Sequence, residues 1–167
     1  MFKLKPLSRT AIPSALAKAE RYRLLNEPGE AESICRDVLE IDPGHQEAIV
    51  TLVLALSDQF PGEGGAKAAS AARDALALVT DDYARLYYGG IVHERRAKAD
   101  LALARPGANA AVQHGLLAAM SCYERAEALR PEGNDDAILR WNACARLASE
   151  LPAAEPDVPD ARAVQNE

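Results

Sequence analysis

Aromatic residues make up only 5% of this 167-residue chain, too few large flat side chains to suggest a sheet-based interior. Cysteine is equally sparse. Cys35, Cys122 and Cys144 are odd in number and fall at unrelated spacings, so they read as reduced packing residues rather than a disulfide frame or a metal site. No long apolar run occurs, and the stretch from Ala48 to Leu56 is far below membrane-spanning length. Lys3 and Lys5 are not followed by the sustained apolar segment of a secretion signal. The glycine cluster Gly62-Glu63-Gly64-Gly65 follows no strand and lacks the lysine of a phosphate-binding loop. Positive charge is in deficit too: the net charge of −6 opposes a phosphate backbone and argues against nucleic-acid binding. The expectation is a soluble cytoplasmic protein with no cofactor, no metal, no nucleic-acid partner and no membrane contact.

What is present is alanine, about a fifth of the chain, within an apolar fraction of 49% that suffices for one domain with a real core. Alanine favours helices and lets their axes approach closely. The stretch from Asn26 to Ala55 shows the resulting local logic. Pro28 suits the first turn of a helix, and Ala31, Ile34, Cys35, Val38, Leu39 and Ile41 recur at helical spacing behind it. Asp42-Pro43-Gly44 then stops that helix, and a new apolar run opens at Gln46.

The same reading along the chain predicts seven helices in hairpin order. Residues 1–12 form a loose lead-in, and Ser14 caps a first helix ending near Leu25. Helices follow from Pro28, from Gln46 to Leu56, and from Ala66 to Val79 beyond a loop at 57–65. A fifth begins near Asp81, whose carboxylate suits unpaired N–H groups, and runs through Leu103. Arg105-Pro106-Gly107 stops it. A sixth spans Ala108 to Leu129, and Asn134 caps a seventh ending near Leu151. The helical domain is thus 13–151, and the acidic, proline-containing tail at 152–167 is too polar to pack and is expected to be disordered.

Helix pairs are copies of one another. VLEIDPG at 38–44, ALALVTD at 75–81 and AEALRPE at 126–132 align, with Ala31, Ala68 and Ala119 each seven residues ahead of Val38, Ala75 and Ala126. On these residues the chain resembles the tetratricopeptide repeat family, whose unit is 34 residues long. The family's small-residue places fall on Ala19, Ala31 and Val38, then Val53, Ala68 and Ala75, then Gly90, Ala119 and Ala126. Tyr22 and Tyr123 take two of its aromatic places, and Pro43 and Pro131 its proline. Departures are a second repeat lengthened at the Gly62–Gly65 turn and an enlarged third hairpin. The resemblance implies an all-α, right-handed superhelical solenoid of three helix pairs, covered by a last helix from Asn134 to Glu150.

It also implies a concave groove lined by the first helix of each pair. In this register the lining is Pro13, Leu16, Glu20 and Arg23, then Glu47, Val50, Leu54 and Ser57, then Ala84, Tyr87, Ile91 and Glu94. Val50, Leu54, Tyr87 and Ile91 form an apolar middle rimmed by Arg23, Glu94, Arg95 and Lys98, suited to a partner's amphipathic helix or extended peptide. The competing reading buries these residues beneath the last helix, Asn134 to Glu150, or beneath the enlarged turn. A family variant that clamps a chaperone peptide's terminal carboxylate is not matched, because the corresponding places hold Leu16, Glu20, Thr51, Ala84 and Tyr88.

Catalytic signals are weak. His93, His114 and Glu94 lie on the two long helices of the third hairpin but fall short of a zinc pattern, with His93 expected to be packed at an aromatic place. His45 is expected to be solvated, and Ser57, Ser70 and Ser121 have no evident base. Trp141 is expected to seal the last hairpin. Six basic residues up to Arg23 and five acidic ones from Glu150 onward read as two solvated ends, or else as an acidic tail that contacts the basic N-terminal surface of its own or a neighbouring molecule. The function expected is a non-catalytic scaffold for a protein or peptide partner. A self-associating subunit or homodimer joined through the solenoid ends is the alternative, and an enzyme using His93 and His114 is a weaker one.

Overall fold

Each helix starts or stops where local chemistry makes it. The computed structural model describes residues 2–103 and 108–152. It has a 3-10 turn at Arg9–Ala11, then α1 (Ile12–Leu24), α2 (Pro28–Ile41), α3 (Gln46–Asp58), α4 (Gly65–Leu76), α5 (Asp82–Ala102), α6 (Ala108–Glu127) and α7 (Asp136–Glu150). The described residues contain no strand. Pro28 stands at the first position of α2, where its missing N–H costs nothing. Asp81 caps α5, its Oδ1 accepting from the Ala84 N–H at 2.7 Å.

One expected cap differs, and one cap was not expected. Ser14 lies inside α1, and its hydroxyl donates to the Ala11 carbonyl at 2.9 Å instead of accepting from a free N–H. His45 is half-buried rather than solvated: its Nδ1 accepts from the Ala48 N–H at 3.3 Å and closes the first turn of α3. Asn134 does accept from the Asp136 N–H, at 3.0 Å, just ahead of α7. The lead-in is less loose than its sequence suggests, since Leu7 packs on the core and Arg9 donates to the Ile41 carbonyl at 3.2 Å. The expected stop at Arg105-Pro106-Gly107, and the tail beyond Pro152, lie outside the described residues.

Each helix packs on its chain neighbours, and the odd-numbered ones also touch in a row, α1 on α3 and α3 on α5. The interior is two adjoining clusters. The first is drawn mainly from α1 to α4 around Leu16, Val38, Val53 and Leu56; the second, from α5 to α7, surrounds Ile91, Leu116 and Tyr123. All nine positions aligned as small residues (Ala19, Ala31, Val38, Val53, Ala68, Ala75, Gly90, Ala119 and Ala126) are buried. One pair explains why size matters there. Tyr123 is fully buried and lies flat against α5 at Gly90, where a Cβ would run into its ring.

Candidate functional site

Helix α3 occupies the middle of the α1–α3–α5 row and is buried on most of its circumference, including Ala48, Ile49, Leu52, Val53, Ala55 and Leu56. Apart from Gln46 at its start, what remains short of full burial is one stripe at helical spacing, Glu47, Val50, Leu54 and Asp58. Glu47 is exposed and the other three are half-buried. Three of the four stand where the repeat register placed them. The fourth does not: Ser57, expected on the stripe, is buried, its hydroxyl donating to the Leu54 carbonyl at 2.9 Å, and Asp58 takes its place one residue on.

On the flanking helices the register holds less well. Glu20 is exposed, Arg23 and Tyr87 are half-buried, but Leu16 and Ile91 are only 1% and 2% exposed and belong to the two core clusters. They cannot line an open face, because each is enclosed within its core cluster. Glu94 departs from the expected lining as well. At 2% exposure it is no rim residue but the buried acceptor of three other side chains.

Two carboxylates organise the polar part of the site. Asp58 accepts from Arg23 Nε of α1 at 2.8 Å and from Arg95 Nη1 of α5 at 2.7 Å, and so ties the row together. Arg95 also donates to Ser57 Oγ at 2.6 Å and to the Leu54 carbonyl at 3.1 Å. Glu94 accepts from Lys98 Nζ at 2.6 Å, from the Tyr123 hydroxyl of α6 at 2.7 Å, and from Arg140 Nη1 of α7 at 3.2 Å. Burial by itself would raise the Glu94 pKa, yet Lys98, Tyr123 and Arg140 outweigh it and hold the carboxyl below its usual range, hence ionised at neutral pH. Burial first, and the Glu94 charge second, push the Tyr123 hydroxyl far up, so it stays a neutral donor.

Beside these groups four of the five tyrosines gather. Tyr83 stacks on Tyr87 with centroids 5.8 Å apart, Tyr88 meets Tyr87 edge-on at 5.2 Å, and Tyr123 lies 6.0 Å from Tyr87 at a tilt. Tyr87 thus sits where the α5 side of the face joins the second core cluster. Below it, Ser57, Asp58, Pro61, Arg95, Lys98, Ala99 and Ala102 line an open hollow of about 240 Å³ at the C-terminal ends of α3 and α5.

The histidines of the weaker, enzymatic alternative stand near each other on α5 and α6. His93 is exposed rather than packed, because position 93 faces the gap toward Arg73 of α4 and His114 of α6; partial burial and then those two neighbours lower its pKa. Among the described residues no group of three or more His, Cys, Asp or Glu side chains is placed to hold a metal ion. All three cysteines are free thiols; burial pushes Cys35 up to about 12 and Cys144 to about 11, which makes both poor nucleophiles. Trp141 packs on the second cluster and donates its Nε1–H to Glu124 at 2.9 Å, at the edge of the last hairpin. No helix among the described residues is long and apolar enough to cross a membrane. Comparison of the chain with protein-family models, with curated proteins and with solved structures finds no match.

Proposed function

We propose that this chain is a tetratricopeptide-like, non-catalytic scaffold, a right-handed stack of three helix pairs that holds a partner's helix or extended segment along the α1–α3–α5 face. The observation that carries this reading is the stripe Glu47, Val50, Leu54 and Asp58, exposed or half-buried on a helix whose remaining positions, beyond the N-terminal Gln46, are buried. Burial at all nine small positions supports the repeat register behind it. The face is narrower than the sequence implied: Val50 and Leu54 supply the apolar centre, Tyr87 one wall, Glu20 and Glu47 exposed acids, and Arg23 and Arg95 a charged floor.

A Leu54→Glu variant tests it. The charged side chain projects into the face, so proteins retained from the native cell by the unmodified chain should be lost by the variant while far-UV circular dichroism is unchanged. Equal retention of the same proteins by both would overturn the reading. A second reading, self-association through the ends of the row, rests on Leu24 of α1 and Leu139 of α7, which are 88% and 65% exposed. Sedimentation over a range of concentrations separates the two. Loss of function on replacing His93 or His114 alone would instead favour an enzyme.

A further inference from the structure

Cations outnumber carboxylates in the bonded network at the C-terminal end of this face, away from the exposed acids Glu20 and Glu47. Arg23, Arg95, Lys98 and Arg140 are linked through two carboxylates only, Asp58 and Glu94, in a chain whose net charge is −6. The most accessible of these cations is Lys98, whose side chain is 49% exposed, followed by Arg140 at 34%, Arg95 at 24% and Arg23 at 19%. Lys98 and Arg95 both line the hollow at the end of α5.

Where the chain leaves α7 bears on what fills that hollow. The Pro152 carbonyl accepts from Gln113 Nε2 at 3.2 Å. Gln113 precedes by two residues Gly115, where an added Cβ would stand 3.0 Å from Ala97 Cβ, so Pro152 is held level with the last turns of α5. Lys98, Ala99 and Ala102 of those turns line the hollow. The sequence then reads Ala153-Ala154-Glu155-Pro156-Asp157-Val158-Pro159-Asp160, three acids and no base. Three to eight extended residues span about 10 to 28 Å, against roughly 10 Å from one helix axis to the next.

We propose that the acidic segment Glu155–Asp160 docks in its own molecule on the cationic end of the α1–α3–α5 face, against Lys98 and Arg95, and so occupies ground that a partner's acidic side chains would otherwise take. Opposite charge and short reach favour this seat over the basic lead-in, where Lys3 and Lys5 line a different cavity with Asp37 and Glu40 of α2. Docking of the segment does not depend on the scaffold reading.

The test compares the full-length chain with a full-length variant carrying Glu155→Gln, Asp157→Asn and Asp160→Asn, by amide NMR at low salt. The amides of Arg95, Lys98, Ala99 and Ala102 should shift between the two forms, and added salt should move the unmodified chain toward the variant. A synthetic peptide of residues 153–167 should return the variant's shifts saturably, with affinity lowered about fivefold by Lys98→Gln. Identical shifts in both forms, or peptide without effect, would overturn the proposal. Shifts that grow with protein concentration would also overturn it, by placing the segment on a second copy. If no partner is ever captured but these shifts appear, the scaffold reading fails and the docked segment stands.

Discussion

Asp58 and Glu94 make the same kind of contact in different surroundings. Each carboxylate is held by two cations and each joins helices distant in sequence, Asp58 linking α1, α3 and α5, Glu94 linking α5, α6 and α7. Asp58 is 24% exposed, whereas Glu94 is 2% exposed and also accepts from a buried tyrosine. Water can replace most of what Asp58 loses when a partner is removed. Around Glu94 it cannot, and Tyr123 would be left without an acceptor. The difference teaches that the open end of the row is held by exchangeable contacts, suited to a surface that other groups visit, while the last three helices are locked.

The largest effect should therefore come from breaking the buried member. Glu94→Ala strands the Tyr123 hydroxyl and separates α7 from α5, and should cost about 3 kcal/mol in urea unfolding. A cost below that of Asp58→Ala would erase the contrast. Next comes Gly90→Ala. Its Cβ meets a ring fixed between two helices, so the better helix propensity of alanine is outweighed and a net loss of about 1 to 2 kcal/mol is expected. If this variant were more stable than the native chain, Tyr123 would not be seated as described.

Acid sharpens the comparison further. Because the folded-state pKa of Glu94 is lowered, the stability it contributes is complete above the ordinary glutamate value of about 4.3 and is lost as pH falls through the lower folded value. The stability gap between the native chain and Glu94→Gln should be constant near neutrality and shrink below about pH 4. A gap that widened on acidification would mean that Glu94 is neutral in the fold. The smallest effect belongs to Asp58→Asn, expected at about 0.5 kcal/mol and reduced by salt, as for a pair that water and ions already reach.

How much of this was legible in the sequence follows the range over which each signal acts. Helix limits were readable because Pro28, Pro43 and Asp81 act within a turn of where they stand. Burial of Ala19, Ala31 and Val38 was readable because a repeated spacing marks the seam between helices. Val50 and Leu54 were found by the same periodicity, but a drift of one residue by the fourth turn exchanged Ser57 for Asp58. The i, i+4 relation from Leu54 to Asp58 would have corrected it. Glu94 was misplaced for a different reason: Tyr123 lies 29 residues away and Arg140 lies 46, on helices that only the tertiary fold brings together. No local pattern tells a buried, triply bonded glutamate from a solvated one. His93 was misassigned because an aromatic place in a repeat fixes a position and not the room beside it.

The functional claim is that partner contact runs along the α1–α3–α5 row and not over the outer helices. A photo-crosslinking residue introduced at Val50, at Leu54, or at the exposed outer positions Ser33 of α2 and Asp74 of α4 tests it most directly in the native cell. Adducts to one and the same protein from Val50 and Leu54, with none from Ser33 or Asp74, are the result predicted. Adducts formed from Ser33 or Asp74 while Val50 and Leu54 stay unlinked would contradict it.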